Sequence, residues 1–260
     1  MDASITTPPN VTDPGRIIAH RGAKRAAPEN TLAAFRKAAE QGVRWVEFDV
    51  SLLGDGTAVV HHDATLDRCS LSTGPLSALG SADLEGVDMG ARFSDLYRGE
   101  PLPTLAEALD LIEALGFHAN LEIKPHEVAP AANAEATAKH LTERPWTRER
   151  IIVSSYCKAT LHALRPILSG QPMAMLFESP PDDWLRVIRE LNAAALHMDY
   201  RYLSEKIARA ARREGVDLRV YTINRPELVA PFRDLGLTSV ITDHPPLFLD
   251  NADWAAWAKR

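Results

Sequence analysis

An eight-stranded parallel barrel with helices between its strands, a (β/α)8 TIM barrel, is the fold class this sequence predicts, on three observations. Short β-rich runs alternate with longer amphipathic stretches about eight times along the chain. Most of the runs are apolar on both faces, as parallel strands buried between helices require. The length of 260 residues suits one barrel of roughly 250 residues. A doubly wound open sheet also alternates β and α, but it offers a Gly-rich phosphate loop after its first strand. Here the first run leads into His20-Arg21-Gly22 instead.

Strands are expected at 16–20, 45–50, 120–124, 151–155, 173–177, 195–199, 218–223 and 239–242. Helices are expected at 29–41, 104–115, 131–142, 158–168, 182–191, 204–214 and 226–235. Gly42, Gly116, Gly215 and Gly236 stand just past the last periodic residue of four of them, where a left-handed residue ends a helix cheaply. Thr104 with Glu107 reads as a capping box. Trp184 reads as core, and Trp254 and Trp257 as the buried stripe of a final helix. One stretch breaks the rhythm. A second β-like run starting at Ala58 follows a Gly54-Asp55-Gly56 turn as a hairpin-like extension. Residues 64–103, rich in Ser, Gly and Asp, then read as an insertion after strand two, a candidate wall or lid. A single barrel domain over 1–260, with a flexible, Pro-rich segment at 1–15, completes the expected organisation.

Composition narrows the function. Lys and Arg number 29 against 35 Asp and Glu, a net charge of −6 with no basic run, so nothing draws the chain to nucleic acid or an anionic membrane. No window reaches the roughly 18 apolar residues of a spanning helix, and residues 1–15 lack the pattern of a secretory leader, so a cytoplasmic protein without membrane insertion is expected. Cys69 and Cys157 are too few for a metal cage or disulfide scaffold and read as reduced thiols. Oligomeric state is left open.

Polar residues gather where strands end. His20 and Arg21 close the first run, Glu47 and Asp49 lie on the second, His61, His62 and Asp63 close its extension, and Glu122 and Lys124 close the third. In a barrel those ends converge on the active site, and charges there oppose burial unless paired or bound to an ion. Glu47-x-Asp49 puts both carboxylates on one side of a strand, with Cα atoms about 6.6 Å apart, so both reach one cation. Glu122-x-Lys124 repeats that geometry on the expected neighbouring strand. Three carboxylates without a thiolate suit a hard divalent ion, Mg2+ or Ca2+, over zinc. His20 and His62 are the candidate proton carriers. Of His61 and His62 only one points inward; spacing does not say which, although Asp63 is placed to orient His62. Phe177, alternating in step with Met173 and Met175, is a candidate for the pocket wall.

Taken together, His20-Arg21-Gly22, Pro28-Glu29-Asn30-Thr31, Glu47-Phe48-Asp49-Val50, His62-Asp63 and Leu66-Asp67-Arg68 resemble the glycerophosphodiester phosphodiesterases. The resemblance continues through Pro103-Thr104-Leu105, Leu121-Glu122-Ile123-Lys124-Pro125, Val220-Tyr221-Thr222-Ile223-Asn224 and Ile241-Thr242-Asp243-His244-Pro245, and spans 16 to about 246. It implies a (β/α)8 barrel with a small insertion after strand two. It also implies catalytic roles for His20 and His62, one divalent cation on Glu47, Asp49 and Glu122, and phosphate contacts from Arg21 and Lys124. Tyr221 stands where many members carry Trp, as a substrate-binding aromatic wall. His244 receives no role.

The expected reaction is hydrolysis of a small glycerophosphodiester to glycerol 3-phosphate and an alcohol. The nucleophile is either water or the glycerol's own neighbouring hydroxyl. Two rivals share the fold. A barrel phosphodiesterase acting on lysophospholipids or sphingolipids would want an apolar channel, and 64–103 carries no run of aromatics. A non-catalytic phosphodiester-binding protein would lack one of the polar residues, and all are present.

Overall fold

Eight parallel strands close on themselves in a computed structural model that describes residues 15–259. The expected flexible segment at 1–15 lies, but for Gly15, outside the described residues. In chain order the first half runs β1 (Ile17–His20), α1 (Leu32–Glu40), β2 (Trp45–Leu52), β3 (Ala58–Val60), α2 (Leu105–Ala114), β4 (His118–Ile123), α3 (Pro130–Thr142) and α4 (Thr147–Arg150). The second half runs β5 (Ile151–Ser155), α5 (Lys158–Ile167), β6 (Met173–Phe177), α6 (Trp184–Glu190), β7 (Ala195–Asp199), α7 (Glu205–Glu214), β8 (Asp217–Tyr221) and β9 (Leu237–Thr242). Two last helices, α8 (Pro246–Leu249) and α9 (Ala252–Ala258), end the chain. The strand order is β1-β9-β8-β7-β6-β5-β4-β2, and β1 also pairs with β2, which closes the barrel. β3 folds back antiparallel on β2 through the Gly54–Gly56 turn, where Leu53 N–H donates to Thr57 O at 2.9 Å.

Alternation along each strand sorts the side chains. Val46, Phe48 and Val50 on β2, Leu121 and Ile123 on β4, and Leu196 and Met198 on β7 pack outward with helix residues such as Phe35, Leu109 and Leu161. Ile18, Trp45, Ile152, Ala174, Ala195 and Ile241 form a separate inner cluster. There the fully buried Arg219 guanidinium lies 4.8 Å from the centre of the Trp45 ring, and His118 stacks on the same ring with centroids 5.1 Å apart.

Three expectations need correction. The first helix begins at Leu32, not at residue 29, because the Thr31 hydroxyl caps it by accepting from Ala34 N–H, and Asn30 takes a left-handed φ of 58° that no helix continues through. The helix expected at 226–235 is two short 3-10 turns, since Pro226 and Pro231 each remove a backbone donor within six residues. Phe177 does not line the pocket. It shares its outward face with Met173 and Met175, and the inward side chain at that level is Leu176. The Thr104–Glu107 capping box is present, and Trp184, Trp254 and Trp257 are buried.

The insertion has its own small core. Leu66, Leu76, Val87, Met89 and Leu102 pack against Leu53 and Val59 of the β2–β3 arm. Asp88 accepts three backbone N–H bonds, from Gly90, Ala91 and Gly99, and Gly90 is obligatory because a Cβ there would lie 1.7 Å from Tyr97 O. Glu100 and Tyr97 then tie the insertion to the first βα unit, through Ala33 N–H and Ala26 O. None of residues 64–103 lines the cavity described next, so the insertion braces the mouth and does not wall it.

Candidate active site

A cavity of about 510 Å3 opens at the C-terminal ends of the barrel strands. Seven of the eight residues expected at a site line it: His20, Arg21, Glu47, His62, Glu122, Lys124 and Tyr221. Asp49, the eighth, is completely buried just behind them. Parallel pairing of β2 with β4 sets Asp49 beside Glu122, and pairing of β1 with β2 sets His20 beside Glu47.

Glu47, Asp49 and Glu122 present carboxylate oxygens that all lie within 4.8 Å of one another. Two cations face them. Lys124 Nζ lies 2.5 Å from Glu122 Oε1 and 3.2 Å from Asp49 Oδ1, and Arg21 Nε lies 3.2 Å from Asp49 Oδ2. Asn30 Nδ2–H donates to Asp49 Oδ2 at 2.8 Å, and Arg21 N–H donates to Glu47 Oε2 at 3.0 Å. Three negative groups against two positive ones leave the cluster one charge short, and it responds by holding protons. Burial, with Asp49 and Glu122 nearby, pushes the Glu47 carboxyl well above its ordinary range. Burial likewise pushes Glu122 up to about 7 against the pull of Lys124. Asp49 goes the other way: burial opposes its charge, but Lys124 and Arg21 hold it ionised. Asp49 Oδ1 is buried without a hydrogen bond. An all-oxygen set with a charge deficit, one of whose buried oxygens has no hydrogen bond beside its ion pair with Lys124, fits a hard divalent cation.

The loop after β1 is shaped for this. Arg21 takes φ 55° and Gly22 φ 76°, and a Cβ on Gly22 would meet Ala34 at 2.7 Å. That left-handed pair turns the chain so that Arg21 offers its amide to Glu47 and its guanidinium to Asp49 and Glu29.

Each candidate proton carrier is tied to a carboxylate at Nδ1. His20 Nδ1–H donates to Asp243 Oδ1 at 2.6 Å, and His62 Nδ1–H to Asp63 Oδ1 at 2.5 Å. Those bonds select the tautomer that leaves Nε2 for a substrate. His20 Nε2 lies 3.9 Å from Glu47 Oε2. Burial pulls the His20 pKa down to about 4, opposed by the Asp243 bond and assisted by Arg21 and Lys24. Burial also lowers His62, opposed by Asp49. His61 is the outward member of its pair: buried, and bonded through Nε2 to Thr65 O at 2.9 Å.

Asp243 and Asn224 were given no role by the sequence, although both sit in the motifs quoted above. Asn224 Nδ2–H donates to Asp243 Oδ2 at 3.0 Å, and its Oδ1 accepts from Asp243 N–H at 2.9 Å, so the loop after β8 holds the residue after β9. Lys24 Nζ lies 3.3 Å from Asp243 Oδ1. The available signal was the position of each polar residue just past a barrel strand. Across the cavity, Tyr221 O–H donates to Phe177 O at 2.7 Å and accepts from Tyr156 O–H, which fixes an aromatic wall opposite the carboxylates. Both cysteines are free.

An eight-stranded barrel whose mouth unites an acidic trio, two cationic side chains and two imidazoles defines a class, the barrel phosphodiesterases. The chain belongs to the glycerophosphoryl diester phosphodiesterase family, whose model matches residues 20–247, and is an enzyme. It is similar to the glycerophosphodiester phosphodiesterase of Caldanaerobacter subterraneus subsp. tengcongensis, 31% identical over 90% of this chain and 96% of that one. It is similar also to that of Bacillus subtilis, 30% identical over 92% of this chain and 87% of that one. Among solved structures, an Oleispira antarctica phosphodiesterase in complex with the product sn-glycerol-3-phosphate superposes with a TM-score of 0.86. It is 29% identical, with 94% of this chain and 97% of that one covered.

Proposed function

We propose that the chain hydrolyses glycerophosphodiesters to glycerol 3-phosphate and an alcohol, with one divalent cation, Mg2+ or Ca2+, held by Glu47, Asp49 and Glu122. The observation that carries this reading is the convergence on one cavity of three carboxylates, two cationic side chains and two imidazoles that each lean on a carboxylate. The names of the relatives and the product bound to the Oleispira antarctica protein support the substrate class. On this reading the enzyme works on small diesters in the cytoplasm, and its net charge of −6 gives it no electrostatic attraction to nucleic acid or an anionic membrane. Among the described residues no helix is long and apolar enough to cross a membrane.

A phosphodiester is anionic and repels nucleophiles. The cation, when bound, supplies charge neutralisation at a phosphate oxygen. Arg21 and Lys124 take other oxygens, Arg21 as a planar fork already oriented by Glu29 and Asp49, Lys124 as a point charge. One imidazole accepts at Nε2 the proton of the attacking hydroxyl while the other, protonated, donates from Nε2 to the leaving alcohol oxygen as the P–O bond breaks. Water and the neighbouring glycerol hydroxyl are both served by that geometry. In the second case a cyclic phosphate forms and water opens it with the two histidines in exchanged roles. Asp63 and Asp243 keep both rings in the productive tautomer throughout. Tyr221 closes the side opposite the carboxylates.

The test is a panel of glycerophosphocholine, glycerophosphoethanolamine, glycerophosphoglycerol and lysophosphatidylcholine, with glycerol 3-phosphate and free alcohol measured in the presence and absence of EDTA. Cation-dependent release of glycerol 3-phosphate from the deacylated diesters is expected. Turnover of the lysolipid alone, or binding of diesters without turnover, would overturn the reading.

A further inference from the structure

Arg68 lies outside the cavity, at the start of the insertion, and its side chain is 47% exposed. Its guanidinium nevertheless joins the two arms of the site. Nε–H donates to Asp63 Oδ2 at 2.6 Å, while Nη1–H and Nη2–H donate to Glu29 Oε2 at 2.9 Å and Oε1 at 2.8 Å. The other oxygen of Asp63 holds His62 Nδ1, and Glu29 Oε1 also accepts from Arg21 Nη1 at 2.6 Å. A continuous chain of contacts thus runs from His62 through Asp63, Arg68 and Glu29 to Arg21. Both intermediate carboxylates stay ionised: Asp63 is lowered to about 2 against burial by Arg68 and His62, and Glu29 is lowered by Arg68 and Arg21. The insertion presents Arg68 firmly. Leu66 is buried in the insertion's own core, and Leu66 O accepts from both Cys69 N–H and Ser70 N–H in the turn that carries the guanidinium.

We propose that Arg68 is a positioning residue, which sets His62 and Arg21 at once by gripping the carboxylates behind them, and that this is the contribution of the insertion to the reaction. The proposal rests on the function proposed above for His62 and Arg21. A purely structural Arg68 would show itself in the melting temperature and leave the kcat/KM of the folded enzyme almost untouched. A positioning Arg68 would not, because small displacements of reacting groups cost far more in rate than in stability. Lysine cannot replace it, since one ammonium does not span two carboxylates with the geometry of a planar fork.

The experiment compares Arg68→Gln, Arg68→Lys, Glu29→Gln and the double variant Arg68→Gln/Glu29→Gln in full-length enzyme. Readouts are kcat, KM, melting temperature, calorimetric affinity for glycerol 3-phosphate and the ring 15N shifts of His62. Arg68→Gln is expected to lower kcat and raise KM, reducing kcat/KM on the order of 10-fold or more. Its melting temperature should stay within about 3 °C of wild type. Arg68→Lys should recover little, and the double variant should lose less than the product of the single losses, since the two residues act through one contact. A kcat/KM within twofold of wild type in Arg68→Gln, full recovery in Arg68→Lys, or independent effects in the double variant would each overturn the proposal. Should Arg68→Gln fail to fold, Arg68→Lys, which keeps the charge, makes the same comparison. If the wild-type enzyme turned over no diester, the proposed function would fall. The affinity for glycerol 3-phosphate and the His62 shifts would still decide on Arg68, and their indifference to Arg68→Gln would overturn it.

Discussion

His20 and Asp243 stand 223 positions apart in the chain and share a hydrogen bond of 2.6 Å between Nδ1 and Oδ1. The bond exists because β9 pairs with β1 on the far side of the barrel closure, which brings the residue after one strand beside the end of the other. Asn224 and Lys24 hold the same carboxylate from two further loops.

Asp243→Asn is therefore expected to reduce kcat by on the order of 10²-fold or more with a smaller change in KM, because the amide no longer demands the Nδ1–H tautomer of His20. Steady-state kinetics, beside a circular dichroism check of folding, decide it. A kcat equal to wild type would show that His20 needs no such support.

Metal dependence follows from the acidic trio. EDTA should abolish activity and Mg2+ or Ca2+ restore it, and Asp49→Asn should need far more cation. Full activity in excess EDTA, with no metal found by elemental analysis, would sink the assignment.

The raised carboxyls give that site a pH signature. With Glu122 at about 7 in the fold, against about 4.5 unfolded, that carboxyl keeps its proton in the cation-free fold between those values, where the unfolded chain has lost it. The contribution of that carboxyl to stability falls as pH rises from about 5 to 7, while His20, lowered to about 4, contributes with the opposite sign below about 6.5. Cation binding should expel the carboxyl proton, so apparent affinity should climb with pH through 7. Calorimetric titration in buffers of different ionisation enthalpy measures the release. A proton count of zero at pH 6 would contradict it.

Arg21→Lys keeps the charge but loses the fork that Glu29 and Asp49 orient. A marked fall in kcat/KM is expected. An unchanged value would remove Arg21 from phosphate recognition.

The histidines separate by leaving group. Loss of His20 or His62 should each cost on the order of 10²-fold or more in rate. With p-nitrophenol as leaving group, the variant lacking the acid should be partly rescued and the variant lacking the base should not. His61→Ala is the control. Its Nε2 bond to Thr65 O and its burial predict a loss of about 1–3 kcal/mol in stability, with kcat/KM nearly unchanged. Equal damage from His61→Ala and His62→Ala would show that the inward histidine is misassigned.

Local chemistry made much of this molecule legible in its sequence. The spacing of two in Glu47-x-Asp49 and Glu122-x-Lys124 is the period of a strand, so each pair had to share a face wherever the strand went. Thr104 and Glu107 cap a helix through bonds that span three residues, and Gly215 ends one with a left-handed φ of 67°. Tertiary structure decided the rest. Period two gives relative phase but not which face looks inward, so Phe177 and Leu176, or His61 and His62, are distinguished only when helices pack on one side and the barrel closes on the other. Pro226 and Pro231 left an apolar stretch with the spacing of a helix and too few donors to form one. The grip of Asp243 on His20, and of Arg68 on Glu29 and Asp63, joins positions that no local pattern relates, because ring closure and the fold of the insertion set those distances.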